Sequence, residues 1–334
     1  MWTEHVAILR CPITGQTLRQ TSDCSVTTVD GRYSYPVVDD VVCLLPRDAV
    51  ANGAHASEAP IASAGANSMA LQEIKDTVQK FYNEVGWTKT ESGDYRDTIF
   101  YVDQRPLPYR FTAKCIRQVG RYLPRSGRYL LDAGSGAIPH KGYLAYDQGF
   151  ANRICVDFSM AALRQARHKV GDRGLYLLGD LTNLPIVDDA VDAVVCNHVL
   201  YHIPPEEQPR ALKEMWRVLK PGGTAAVVYS WFYSPLAWRL EKLASRFMKE
   251  GASSNAEGEA LPFFPQSLEW FTSQRWPFAY RIRTFRVIGN DFLRRYIRSD
   301  VSSRFLLFAL WSLQRMMPEF AGRYGQYPVI IISK

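Results

Sequence analysis

Tyr129-Leu130-Leu131-Asp132-Ala133-Gly134-Ser135-Gly136 is the stretch on which the fold turns. An apolar run ends in an acid and passes directly into a Gly-x-Gly turn. Glycines there let the backbone take tight dihedrals and let another group approach with no Cβ in between. The next apolar run, Arg153-Ile154-Cys155-Val156, ends at Asp157, 21 residues beyond Gly136. That spacing suits an acceptor for ribose hydroxyls. A third run ends in Gly179-Asp180, a further 23 residues on. Three acids at three successive strand ends specify far more than one glycine turn.

Outward from this stretch, short apolar strands alternate with helices. Strands are expected over 129–132, 153–157, 175–179, 190–196 and 224–229, and helices over 161–169 and 206–219. Two further strands, 279–287 and 328–333, complete a doubly wound, seven-stranded, Rossmann-like α/β sheet. Upstream, residues 1–48 read as a small β-rich unit of short apolar runs, with Asp30-Gly31 as a hairpin turn. Residues 49–70 are rich in Ala, Ser and Gly and read as a linker, followed by a helix over 71–85. The large domain then occupies 71–334, with insertions near 232–276 and 288–327 expected to form a helical cap. The first insertion contains an amphipathic helix with Leu236, Leu240, Leu243 and Phe247 on one face.

Composition narrows the class. The chain has 334 residues, 47% apolar and 22% charged, with six cysteines. This is globular composition, and no basic-then-apolar leader is visible at its start, so a cytoplasmic protein with reduced thiols is expected. The net charge of +7 is concentrated: from Arg275 to Lys334 there are eleven Lys/Arg against three Asp/Glu. Arg281, Arg283, Arg286, Arg294, Arg295 and Arg298 interleave with aromatic and aliphatic residues. That pattern suits an acceptor with an anionic head and an apolar body, or contact with an anionic membrane surface.

The ordered motifs resemble class I S-adenosylmethionine-dependent methyltransferases of the type 11 kind. Asp132-Ala133-Gly134-Ser135-Gly136 is similar to their cofactor loop, Val156-Asp157-Phe158-Ser159 to the ribose-binding segment, and Gly179-Asp180-Leu181 to the segment beside the adenine. Val191–Asn197 is similar to the fourth strand, and Arg217-Val218-Leu219-Lys220-Pro221-Gly222-Gly223 to the turn before the fifth. The resemblance implies S-adenosyl-L-methionine as cofactor, bound by Asp132, Gly134, Ser135, Gly136, Asp157, Phe158, Asp180, Leu181 and Asn197. Asp180 would accept from the adenine amino group, and Asp132 would act through electrostatics and water. One departure is Ala137-Ile138-Pro139, where many members have a third glycine, so the loop's path is expected to differ.

After the fourth strand comes Asn197-His198-Val199-Leu200-Tyr201-His202. In a helical turn, His198, Tyr201 and His202 would share a face. They are the catalytic candidates, histidine being suited to take a proton from an attacking hydroxyl. His140 is a further histidine near the loop.

The N-terminal unit resembles the zinc-ribbon-like activator subunit of tRNA and translation-factor methyltransferases, through Leu9-Arg10-Cys11-Pro12, Tyr35-Pro36-Val37-Val38-Asp39 and Leu44-Leu45-Pro46. Its first knuckle reads Cys11-Pro12-Ile13-Thr14, and Cys24 and Cys43 stand alone, so no metal is expected. The function expected is methyl transfer to a hydroxyl, or a carbon, of a small-molecule or lipid-linked acceptor. The rivals are a ribosomal or transfer RNA base methyltransferase and a non-catalytic cofactor-binding scaffold. The sequence leaves the oligomeric state open.

Overall fold

The computed structural model describes residues 2–52, 66–91, 93–248 and 261–334. The predicted linker lies for the most part outside the described residues. In the N-terminal unit, a 3-10 turn over Trp2–Ile8 precedes β1 (Leu18–Ser22), β2 (Ser25–Thr28), β3 (Tyr33–Val38), β4 (Val41–Cys43) and β5 (Val50–Ala51). Gly31, at φ +75°, turns β2 into β3 as Asp30-Gly31 predicts. Three helices follow: α1 (Ala66–Phe81), α2 (Arg96–Tyr101) and α3 (Pro106–Val119).

The α/β core then runs β6 (Gly127–Ala133), β7 (Phe150–Asp157), α4 (Met160–Val170), β8 (Gly174–Leu178), β9 (Val191–Asn197), α5 (Gln208–Val218) and β10 (Leu219–Val228). Beyond it lie α6 (Pro235–Phe247), α7 (Leu268–Ser273), β11 (Ala279–Arg286), α8 (Asn290–Tyr296), α9 (Val301–Met316), α10 (Pro318–Tyr324) and β12 (Tyr327–Ser333). The seven expected strands stand in the order β8-β7-β6-β9-β10-β12-β11, parallel except β12, which is antiparallel to both neighbours. Val191 and Ala193 through Cys196 are fully buried, as a central parallel strand covered on both faces requires.

The N-terminal unit does not keep a core to itself. β4 pairs in parallel with β8, so the small sheet and the large one are a single sheet. Leu9, Cys11, Tyr35, Val42 and Leu44 pack in the same apolar cluster as Leu131, Val156, Leu177 and Ile186. The apolar residues of the small unit thus join the core of the large domain instead of closing one apart from it. The cause is the alternation of short apolar runs, which makes β4 a good neighbour for the open edge of β8. Cys11 is buried, with Sγ 3.1 Å from the Tyr35 hydroxyl and accepting the Thr14 N–H at 3.3 Å.

α6 also departs from its reading. Leu236 and Leu240 pack inward, but Leu243 and Phe247 are 55% and 79% exposed and Ala244 is the buried residue of that turn. Sequence periodicity finds an apolar stripe but cannot say which part of it meets the core.

Candidate functional site

A cavity of about 390 Å³ opens at the carboxyl ends of β6, β7 and β9. Ligands of open α/β sheets bind at this edge, because the loops leaving the strands diverge there. Of the residues predicted to bind the cofactor, Asp132, Gly134, Ser135, Gly136, Asp157, Phe158, Leu181 and Asn197 line it, as do all three catalytic candidates, His198, Tyr201 and His202. Asp180 does not. Its carboxylate meets Lys75 Nζ of α1 at 2.9 Å and accepts the Thr182 N–H at 2.7 Å and the Thr182 hydroxyl at 2.8 Å. The lining at this strand end is Gly179 and Leu181 instead.

The glycine turn follows β6 directly. Gly134 and Gly136 have φ of +74° and +53°, where a side chain is strained. Space is equally decisive: a Cβ would come within 2.5 Å of Val199 at Gly134 and of the Trp87 ring at Gly136. The glycines therefore admit the protein's own side chains as well as making room for a ligand. Ala137-Ile138-Pro139 is held in a third way. Ile138 takes φ +49°, and Lys169 of α4 donates to the Ala137 and Ile138 carbonyls at 2.6 and 2.9 Å. The ammonium stands in for the conformational ease of the missing glycine.

At the end of β7, Asp157 accepts the backbone N–H groups of Gly136 and Ser159, each at 2.8 Å. Burial nevertheless pushes its carboxyl up to about 6, against the pull of those bonds. Asp97 of α2, likewise enclosed, is pushed up to about 7, by burial first and by Asp157 second. Sequence reasoning missed Asp97, along with Tyr82, Trp87 and Tyr101, which also line the cavity. They lie upstream of the recognised motifs, in a segment whose only signal was helical periodicity.

Asp132 faces a different partner from the one expected. Its carboxylate is bound by the fully buried guanidinium of Arg153, a β7 residue legible in the sequence only as a strand marker. Most of the attraction it would exert on a cation in the cavity is thereby spent inside the sheet.

The turn after β9 is not the helix imagined from His198, Tyr201 and His202. His198 stands at φ +61°, its backbone N–H bonded to the Val228 carbonyl, and only Leu200–His202 form a 3-10 turn. Its ring packs edge-on against Phe285 and Tyr327 at 4.9 and 5.3 Å, and burial, aided by the Arg286 charge, pushes it down to about 3. His202 lies 2.7 Å through Nδ1 from the Pro262 carbonyl. A carbonyl oxygen only accepts, so Nδ1 carries the proton and the neutral ring keeps its lone pair on Nε2. Burial pushes His202 down to about 4, so this form holds at neutral pH. Burial and then Lys169 push His140 to about 4 as well. Burial raises the Tyr201 phenol well above its ordinary value, which leaves it a proton-bearing wall of the cavity.

Arginines of the C-terminal region brace the fold more than they face the cavity. Arg294 donates to the Ile99 and Phe100 carbonyls at 3.0 and 2.6 Å, tying α8 to α2, and Arg295 pairs with Glu241 at 3.0 Å. Arg283 pairs with Glu319. Of Arg281, Arg283, Arg286, Arg294, Arg295 and Arg298, Arg286 alone lines the cavity.

Four buried polar atoms of cavity-lining residues have no partner among the described residues, Trp87 Nε1, Asn197 Oδ1, Arg286 Nε and Asn290 Oδ1. With Asp157 beside them, the site offers acceptors for ribose hydroxyls and for an ammonium. The residues present thus fit an aminoacyl nucleoside cofactor.

A family described as a methyltransferase domain matches residues 131–227. The chain is 37% identical over 102 residues to a malonyl-[acyl-carrier protein] O-methyltransferase of Pectobacterium atrosepticum, covering 30% of this chain and 38% of that one. It is 29% identical over 161 residues to a demethylmenaquinone methyltransferase of Roseiflexus castenholzii, covering 44% and 63%. The chain thus spans less than two thirds of the length of either relative. In fold it is similar to phosphoethanolamine N-methyltransferase 1 of Haemonchus contortus, with a TM-score of 0.50 at 12% identity over 80% of this chain and 49% of that one.

Proposed function

With residues 131–227 a class I, S-adenosylmethionine-dependent methyltransferase domain, we propose that the cavity is its active site and that the chain methylates a hydroxyl, or a carbon, of a small-molecule or lipid-linked acceptor. The observation that carries this reading is the pairing of Asp157 at the β7 end with the His202 Nε2 lone pair in one cavity. Asp157 would hold the ribose hydroxyls, Leu181 the adenine edge, and Asn197 Oδ1 the ammonium of the cofactor. When bound, the cofactor supplies an electrophilic methyl group on a sulfonium.

The chain's own residues then have two roles. His202, its tautomer fixed by Pro262, takes the acceptor's proton on Nε2, a contribution of about 10²–10⁴-fold in such reactions. Tyr82, Trp87, Tyr201 and Phe263 enclose the site and keep water from competing. Similarity to a malonyl-[acyl-carrier protein] O-methyltransferase and to a demethylmenaquinone methyltransferase supports an acceptor of metabolite or lipid-linked type. The test is turnover of labelled S-adenosylmethionine by cell extract with the wild-type chain and with His202→Ala. Methylated small-molecule product that disappears with the variant supports the reading, and product found only in RNA overturns it.

Contact with an anionic membrane is part of the same reading. On α9, Val301, Phe305 and Phe308 are 79%, 71% and 66% exposed on one face, beside the exposed Arg304. Among the described residues no helix is long and apolar enough to cross a membrane, so this face would rest on the surface. Phe305→Ser with Phe308→Ser should release the protein from phosphatidylglycerol vesicles in a flotation assay. Equal flotation of variant and wild type removes the idea.

A further inference from the structure

Arg286 is 2% exposed and lines the cavity, yet among the described residues it forms no ion pair. Its Nη1 donates to the Thr112 hydroxyl of α3 at 2.9 Å, and its Nε is buried without a partner. Around it stand the rings of Phe285 and Tyr327, the latter 5.1 Å from the guanidinium, and the neutral imidazole of His198. The same fold treats a buried arginine of purely structural role quite differently, since Arg153 is held by both Asp132 and Asp147. A buried guanidinium without a counter-charge is costly, and an arriving anion offsets that cost more fully than a hydroxyl or a ring does.

The cavity lining holds charge of both signs. Asp157 acts on Asp97, Arg286 acts on His198 and Tyr327, and Tyr143 feels both Asp97 and Arg286. Besides Asp157, assigned above to the cofactor, the cavity thus holds a positive charge walled by the rings of Phe285 and Tyr327.

We propose that Arg286 is the specificity-determining residue of the acceptor site, and that the acceptor carries a carboxylate or phosphate bound by this guanidinium with its apolar body against Phe285 and Tyr327. A guanidinium in the cavity lining can hold the oxygens of such a group by charge-assisted hydrogen bonds, which a neutral alcohol or a cationic amine cannot match. This rests on the methyltransferase reading of the cavity. It goes beyond that reading by assigning the acceptor its charge and the place where the charge is held.

The test uses the full chain saturated with S-adenosylhomocysteine, titrated in a calorimeter with octanoate, octyl phosphate, octanol and octylamine. The expected result is that at least one anion binds tenfold or more tightly than octanol and octylamine, and which anion does so tells carboxylate from phosphate. Arg286→Met should erase that preference and leave S-adenosylhomocysteine affinity within twofold, and Arg286→Lys should restore part of it. Equal binding of all four probes to the wild type overturns the proposal without any variant. So does a preference that survives Arg286→Met, or a tenfold loss of S-adenosylhomocysteine affinity in that variant, which would place the cofactor's own carboxylate on Arg286. Failure of the wild type to bind S-adenosylhomocysteine at all would instead strike the methyltransferase reading beneath it.

Discussion

The guanidinium of Arg153, wholly buried within β7, binds the carboxylate of Asp132 on the neighbouring strand β6, with Nε 3.2 Å from Oδ2, and reaches Asp147 at 3.5 Å. Burial opposes the positive charge, but the two carboxylates outweigh it and hold Arg153 firmly protonated. The pair fixes the strand end from which the glycine turn departs. Removing one member would leave the other charge buried and alone, so Arg153→Met should cost about 3–5 kcal/mol of stability. Adding Asp132→Asn to that variant should recover part of the loss, since it removes the orphaned charge. Urea denaturation of the two variants measures both effects. A cost below about 1 kcal/mol for Arg153→Met would show that the pair does not anchor the turn.

The raised carboxyl of Asp157 gives cofactor binding a pH dependence with a definite sign. In the free protein Asp157 protonates below about 6, because burial disfavours its charge. Hydroxyl groups donate best to the ionised form, so binding requires the proton to leave. Affinity for S-adenosylhomocysteine should be flat above pH 7 and fall about tenfold per pH unit well below 6. Asp157→Asn should bind more weakly and lose this dependence. A wild-type affinity unchanged from pH 7.5 to 5 would remove Asp157 from the cofactor site.

Asp157 and Asp180 are alike in sequence, each an acid ending a strand, and the structure gives them opposite surroundings. Asp180 spends its oxygens on Lys75 and Thr182, and Lys75 also pairs with Glu207 at 2.7 Å, so the cluster fastens α1 to the loops beside the sheet. Asp180→Asn should therefore lower stability by about 1–3 kcal/mol and change S-adenosylhomocysteine affinity less than threefold. A tenfold affinity loss with stability unchanged would restore Asp180 to the adenine.

What could be read in advance follows from the range of the interactions. The strands from β6 to β10 and the pair β11 and β12 are legible because each is a short apolar run closed by a turn signal. The glycine turn and Asp157 are legible because loop and acid are fixed by local backbone chemistry and by spacing. Contacts made across the chain are not. Lys75 meeting Asp180, Arg153 meeting Asp132, and Trp87 lying over Gly136 each join elements whose approach the sequence pattern does not record. The arginines of the C-terminal region illustrate the same limit. Their clustering is plain in the sequence, but Arg294 and Arg295 brace helices and only Arg286 turns into the cavity.

His202 should remain neutral far into the acid range. Burial pushes it down to about 4, and the Pro262 carbonyl, which favours the protonated ring, only partly offsets this. A histidine whose folded value lies below its unfolded one leaves stability untouched above about 6.5 and weakens it as pH falls from there towards 4. Carbon-detected NMR of the imidazoles should show His202 as the Nδ1–H tautomer from pH 8 to 5. A His202 signal that titrates near 6.5, or that reports the Nε2–H tautomer, would contradict its assignment as the base.

The central claim is that the cavity at the ends of β6, β7 and β9 is a cofactor site organised around Asp157. Calorimetric titration of the full chain with S-adenosylhomocysteine at pH 7.5 tests it most directly, with Asp157→Ala measured in parallel. One equivalent should bind in the micromolar range, and the variant should lose at least tenfold, since hydrogen bonds to a charged acceptor are each worth about 1.5–3 kcal/mol. No binding at millimolar ligand, or equal affinity in a folded Asp157→Ala protein, would contradict it.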